Sequence, residues 1–149
     1  MVKKIVSGGQ TGADRAALDF ALESGIPCGG WCPKGRLAED GPIDSSYPLI
    51  ETSSSDYSVR TRQNVLDSDG TLILNMGTLS GGTAYTERCA RSLNRPCIVV
   101  DLDQHVGPQE VLKWLEREGI QILNIAGPRA SKEVGVYEAA RAFLGALFT

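Results

Sequence analysis

The sequence predicts an α/β fold, a single Rossmann-like, doubly wound, mostly parallel sheet of about five to six strands with helices on both faces. Three observations point there. Short, β-branched apolar runs alternate along the chain with segments of helical periodicity. The middle runs are continuously apolar rather than alternating, as strands covered on both faces require. Polar, glycine-rich stretches follow the strands, where open α/β sheets place their ligands.

The elements follow in order. A strand over 4–7 leads into a helix over 12–24, whose Ala13, Ala16, Ala17 and Ala21, with Phe20, let it press close to a sheet before Gly25 and Pro27 stop it. A second strand over 26–29 is followed by a long connection, 31–55, with little regular patterning, a kind of segment that usually carries function or moves. A helix containing Val59-Arg60-Thr61-Arg62-Gln63-Asn64-Val65-Leu66 precedes a strand over 71–75. Another helix, bearing Glu87 and Arg91, follows Thr83, and a strand over 97–101 comes next. Pro108 opens a helix in which Val111, Leu112, Trp114 and Leu115 recur at helical spacing and which Gly119 closes. A strand over 120–126 and a helix over 132–147 complete the set. Right-handed crossovers and the common strand order put the 71–75 strand beside the first one.

Composition narrows the function classes. The 149 residues fit one domain, 1–149, with one core. Fifteen Lys+Arg against 18 Asp+Glu give a net charge of −3, which argues against a nucleic-acid protein. No apolar run approaches the roughly 18 residues of a membrane span, and the start turns polar too early for a signal peptide; a cytoplasmic domain is expected. Cys28, Cys32, Cys89 and Cys97 show no disulfide framework and read as small buried side chains rather than a zinc site. The single histidine, His105, is expected to be solvated and cannot build a His-based metal site.

Two loops stand out. The first strand runs into Ser7-Gly8-Gly9-Gln10-Thr11-Gly12-Ala13-Asp14. Glycines here permit close backbone approach, and the helix that follows offers free N–H groups and a partial positive charge, together an anion site. The loop lacks the Lys-Ser/Thr of a P-loop and the spacing of GxGxxG, and Gly29-Gly30-Trp31 stands where a dinucleotide fold needs an acid. Ser80-Gly81-Gly82-Thr83 repeats the theme after the 71–75 strand. Glu87 reads either as a functional acid or as a complement to the helix dipole. At about 100° per residue Arg62 falls in the apolar arc expected to face the sheet, where it needs a carboxylate or a bound anion. Arg60, on the flank, is either solvated or functional. Lys34 and Arg36 could close over an anionic ligand, and Arg129 stands at the same rim.

Gly-Gly-Gln-Thr-Gly-Ala-Asp at 8–14, Pro33-Lys34-Gly35-Arg36 with Ala38-Glu39-Asp40-Gly41, Ser80-Gly81-Gly82-Thr83 and Ala126-Gly127-Pro128-Arg129-Ala130-Ser131 together resemble the molybdenum carrier family. That family is Rossmann-like and similar to the lysine decarboxylase-like phosphoribohydrolases. The resemblance implies a parallel α/β sheet, homo-oligomers (dimer or tetramer) and binding of the molybdenum cofactor (molybdopterin), a phosphorylated pterin whose dithiolene holds the metal without protein ligands, or of a nucleotide-like ligand. The hydrolase relatives use Pro-Gly-Gly-x-Gly-Thr-x-x-Glu and an upstream Arg. Here Ser80, Ala84 and Tyr85 depart from that pattern, and Arg88 occupies the Glu position with Glu87 one residue early. Arg60 matches the upstream Arg. The phosphate-binding half survives and the catalytic half is damaged.

The sequence therefore favours a binding protein. Gly8, Gly9, Gln10, Thr11 and Gly12 with Ser80, Gly81, Gly82 and Thr83 would cradle an anion. Lys34, Arg36, Arg62 and Arg129 would neutralise it, with no protein-ligated metal, no nucleic acid and no membrane. The alternative is a nucleotide phosphoribohydrolase, an N-glycosidic hydrolase, with Glu87 as acid/base and Arg60 positioning phosphate. A protein scaffold whose glycine loops are merely turns is the third possibility. A partner copy could cover the Ala-rich helix and the apolar stretch through Phe143, Leu144, Leu147 and Phe148.

Overall fold

The computed structural model describes residues 1–104 and 107–149; the expectation for His105 lies outside the described residues. The chain runs β1 (Lys4–Val6), α1 (Ala13–Ser24), β2 (Cys28–Gly29), β3 (Trp31–Cys32), β4 (Ile50–Glu51), α2 (Tyr57–Leu66), β5 (Gly70–Asn75), α3 (Gly81–Ser92), β6 (Cys97–Asp101), α4 (Gln109–Glu118), β7 (Ile122–Ala126) and α5 (Val136–Leu147). Five strands form one parallel sheet in the order β2-β1-β7-β5-β6. The α/β class and the parallel sheet agree with expectation.

One placement does not. The 71–75 strand is not beside the first strand, because β7 lies between them, pairing Val6 with Asn124 on one side and Thr71 with Asn124 on the other. Sequence order alone favours neighbours close in the chain, but burial decides. Leu123 and Ile125 of β7 are fully buried and fit the centre of the sheet better than its rim.

Alternation along the strands divides the core. Ile5, Leu72, Leu74, Val100, Leu123 and Ile125 face α1, α4 and α5 in one large apolar cluster. Ala13, Ala16, Ala17 and Ala21 are all fully buried, which lets α1 approach closely. The opposite face is thinner. There α2 and α3 cover a small cluster of Val65, Cys89 and Ala90, beside the buried polar side chains of Thr71, Asn75 and Asn124. Phe143 and Phe148 pack against the large cluster, which also takes in Leu144 and Leu147, and Phe148 stacks on Phe20. This stretch thus covers one face of the chain's own sheet, with Phe143 and Phe148 left partly exposed.

Two further differences bear on the site. The expected helix over 132–147 begins only at Val136, because Gly135 adopts a left-handed conformation (φ 86°) at its start. Residues 31–55, expected to be irregular, contain the small parallel pair β3–β4. Burial raises the thiol pKa values of Cys28, Cys32 and Cys97, the last to about 11, so these side chains behave as protonated, compact fillers. Among the described residues no helix is long and apolar enough to cross a membrane.

The tightest backbone approach predicts opposite effects for two glycines. A Cβ at Gly127 would stand 2.2 Å from the Leu74 carbonyl oxygen and 2.6 Å from Ala13 Cβ, whereas Gly145 has open space around it within α5. Gly127→Ala should cost about 1–3 kcal/mol by overpacking, and Gly145→Ala should gain about 0.5–1 kcal/mol of helix stability. Thermal denaturation reads both, and equal effects would contradict the packing described.

Candidate functional site

A cleft of about 330 Å³ opens at the carboxyl ends of β1, β7 and β5, between α2 and α3. Its floor is formed by Gly8, Asp14, Arg60 and Asn124, and its rim by Ser80–Thr83 together with Pro128, Arg129 and Lys132. Both glycine-rich loops reach this one cleft although their strands are not neighbours. The loop after β7 passes between them and lines the cleft as well.

The two loops contribute unequally. At the start of α3, Ser80 makes no capping hydrogen bond through its side chain. The first-turn N–H groups at Gly81, Gly82 and Thr83 have no intrahelical acceptors, so they present donors and partial positive charge. Gly81 holds φ 56°, a left-handed conformation that suits glycine. The first loop corrects the sequence expectation, because much of its backbone is already engaged. Gln10 N–H donates to Asp14 Oδ2 (3.3 Å), Thr11 N–H to Gln10 Oε1 (3.0 Å) and Ala13 N–H to the Pro128 carbonyl (3.2 Å). Gly9 packs beneath Leu49 and Ile43, and Gly12 lies where any Cβ would stand 2.4 Å from the Pro128 oxygen. Only Gly8 and Gln10 of the five proposed residues line the cleft.

Arg60 and Arg62 exchange the environments expected of them. Arg60 is 9% exposed, whereas Arg62 is exposed and does not line the cleft. The inward face of this helix is mixed, with Arg60 and Asn64 turned to the cleft and β3 and Val65 to the small cluster it shares with Cys89 and Ala90. An arc drawn through the apolar residues alone finds Val65 and misses the polar part of that face. Arg60 Nη1 donates to the Gly8 carbonyl (2.8 Å), its Nε to Thr61 Oγ1 (3.2 Å), and Tyr57 lies against its guanidinium at 5.3 Å. Gly8 has no side chain in the way; a Cβ there would be 2.4 Å from Nη1.

Lys34 and Arg36 do not line the cleft either. Lys34 is exposed on a turn. Arg36 donates to four carbonyls, those of Ile43, Asp44, Tyr47 and Leu49, and so ties its own loop together. That loop is fastened to α1, to the turn before it and to the β7–α5 connection. Glu39 accepts from Thr11 Oγ1 and from the Ser131 amide and hydroxyl, and Arg15 bridges Asp40 and the Gly9 carbonyl. Arg129 reaches the rim but faces Glu39 at 3.3 Å. Glu87 is turned from the cleft and pairs with Arg91 at 3.1 Å. The one-residue offset from the hydrolase pattern has the rotation expected of it on a helix.

Sequence reasoning passed over three contributors. Lys132 borders Gly81, with Nζ 2.9 Å from the place a Cβ would occupy. Asn124, on β7, became visible only once that strand was placed centrally. Asp14, 6% exposed, projects from the first turn of α1 into the floor, 3.9 Å from Arg60. Its position in the Gly-Ala-Asp stretch was the available signal. Burial lifts the Asp14 carboxyl above its ordinary range, against the opposing pull of Arg60 and the Gln10 amide. Among the described residues no group of three or more His, Cys, Asp or Glu is arranged to hold a metal ion.

The raised Asp14 predicts a sign for stability against pH. Ionisation is penalised in the native state, so this group's contribution is most favourable below its ordinary value of 3.8. It should decline as pH climbs through the window above that value, levelling once the native carboxyl has ionised. Asp14→Asn removes the titration. Denaturant unfolding across pH should show wild-type stability falling relative to the variant through that window, and a rising difference would contradict the burial argument.

Comparison with known proteins adds identity to this geometry. Residues 5–148 match the circularly permutated YpsA SLOG family. The chain is also similar to a solved structure from Syntrophus aciditrophicus SB described as a "putative molybdenum carrier protein", at 51% identity and a TM-score of 0.95, covering 99% of this chain and 96% of that one. No curated protein matches it.

Proposed function

The chain belongs to the circularly permutated YpsA SLOG family, and from that premise we propose that it is a small-molecule binding protein of the molybdenum cofactor carrier type, holding a phosphorylated pterin or nucleotide-like anion in the cleft. The observation that carries this proposal is the uncapped N-terminus of α3, opening with Lys132 onto a cavity of about 330 Å³. Clefts of this size accommodate small organic ligands. Amide donors at a helix start, where the dipole is positive, suit phosphate without any metal ligand from the protein.

The donor set fits the cofactor named. Gly81, Gly82 and Thr83 amides with Lys132 would take the phosphate, and Arg60 and Asp14 would meet the ring end. The molybdenum travels as cargo on the ligand's own sulfurs. Glu87, the acid of the hydrolase alternative, pairs with Arg91 and is not among the residues that line the cleft, which favours the binding reading. The protein would act as a single ligand-binding domain in the cytoplasm and as a homo-oligomer, in keeping with the resemblance that first suggested it.

Two measurements test this. Native mass spectrometry of protein purified from its own cells should retain a phosphate-bearing small molecule. Inorganic phosphate at about a hundred times its Kd should stabilise the fold by about 2.7 kcal/mol, and Lys132→Ala should weaken that affinity several-fold through loss of one charge-assisted contact. A chain insensitive to phosphate and to phosphorylated pterin alike would overturn the proposal.

A further inference from the structure

Among the described residues that line the cleft, Asp14 is the only acid, and its surroundings suit a neutral carboxyl. Gln10 N–H donates to Oδ2 at a long 3.3 Å. Arg60 Nη1 stands 3.9 Å away, beyond hydrogen-bond reach, because it is committed to the Gly8 carbonyl. The Ser7 hydroxyl, fully buried beside Asp14, gives its proton to the Ile125 carbonyl at 2.7 Å. Its oxygen therefore offers lone pairs, which a carboxyl O–H can use and a carboxylate cannot. One long amide bond and a displaced arginine offset little of the cost of burying a charge. Burial accordingly dominates and holds the Asp14 carboxyl above its ordinary range.

The fold brings this acid to the same cavity as the open amides of α3. Ala13, the residue before Asp14, donates its amide to the Pro128 carbonyl, and Lys132 of that same connection borders Gly81. An anion at the rim and a carboxylate at the floor repel each other across the cleft. Two unit charges about 8 Å apart, at an effective dielectric of about 20–40, change an affinity by about five- to thirtyfold. The cations around Asp14 are Arg60 from α2, Arg15 from its own helix, and Arg129 and Lys132 from the β7–α5 connection. Side chains of these types stay charged from mildly acidic to neutral pH. Glu39, which faces Arg129, is held below the usual carboxylate range by hydrogen bonds from Ser131 and Thr11. Asp14 is thus the group whose charge can yield when an anion arrives.

We infer that Asp14 is a proton-binding site coupled to the anion site, so that the cleft takes up a proton together with its anion. This rests on the proposed binding of an anion at α3 and holds whichever end of a larger ligand reaches the floor. Where Asp14 is already protonated in the free protein, the anion meets no repulsion and binds most tightly. As pH rises through the native titration of Asp14, the anion must bring a proton with it, and affinity falls. Above that window the carboxylate stays charged and affinity levels at its lower value. With the proton in place, the charge of Arg60 is no longer offset by its neighbour and adds to the pull of Lys132 and the α3 amides.

Sulfate is the probe, because its charge is constant across the range of interest while that of phosphate is not. Titration calorimetry on the intact protein, in paired buffers of different ionisation heat, reads affinity and proton uptake together. In the window above the ordinary value of 3.8, the wild type should take up part of a proton per sulfate. Its affinity should fall at least about threefold from about pH 4 to about pH 8. Asp14→Asn, neutral throughout, should take up no proton and hold a nearly constant affinity. At about pH 8 it should bind sulfate at least about threefold more tightly than the wild type. A residue needed only for shape would weaken binding when replaced, so the direction separates the two roles. Glu39→Gln should keep the uptake, and that result with the wild-type uptake decides the matter where Asp14→Asn does not fold. Sulfate binding without uptake, uptake that persists in Asp14→Asn or vanishes in Glu39→Gln, or weaker binding by Asp14→Asn overturns the coupling and leaves the anion site standing. Failure of sulfate to bind at any pH overturns the anion site and the coupling with it.

Discussion

The close passage of the β7–α5 connection across the start of α1 is the constraint on which the rest of the molecule turns. Gly127 sits against the Leu74 carbonyl and Ala13, and Gly12 against Pro128, at separations no side chain could share. These contacts seat β7 in the centre of the sheet and bring the loop after it between the two glycine-rich turns. They also consume donors. The Ala13 amide is spent on Pro128, and Thr11 is tied to Glu39 and Ala130. Glycines that look like a phosphate cradle in sequence thus serve largely to let three backbone segments meet, and the open amides lie at the other loop.

The two faces of the sheet divide the work accordingly. Stability comes from the face under α1, α4 and α5, where the large apolar side chains of β1, β5, β6 and β7 collect with those of the helices. The face under α2 and α3 buries far less and carries Thr71, Asn124 and Asn75 instead. A thin polar layer packs poorly against a helix, and a space remains between α2 and α3 where the cleft lies. Asn64 reinforces that spacing by pairing both its amide groups with the backbone of Trp31, which holds α2 to β3 and away from the sheet.

Much of the fold was legible because local signals and tertiary outcome agree. The 97–101 strand, the Pro108–Gly119 helix and the alanine face of α1 follow directly from composition and periodicity. Strand order was not legible. Neighbour rules assume that the chain visits the sheet in its usual sequence, and a permuted chain keeps the packing while changing the visiting order. The site was legible as loops but not as side chains. Arg36 and Arg62 were chosen by charge and by helical phase, yet backbone carbonyls capture the first and solvent the second. Asp14 was passed over because an acid looks out of place in an anion site.

The balance of charges explains why it is not out of place. Arg60 at the floor is offset by Asp14, and Arg129 at the rim by Glu39. What remains uncompensated is the start of α3 and the ammonium of Lys132 beside it. The cleft therefore lacks a broad positive field, in keeping with a chain of net charge −3. Its attraction for an anion is confined to one end and falls away within about a Debye length of roughly 8–10 Å. A site built this way discriminates by where charge sits on a ligand more than by how much the ligand carries. A compact dianion gains only the rim. A molecule with a charged end and a neutral, hydrogen-bonding end gains both regions at once, and that difference is available only because the floor carries an acid beside its arginine.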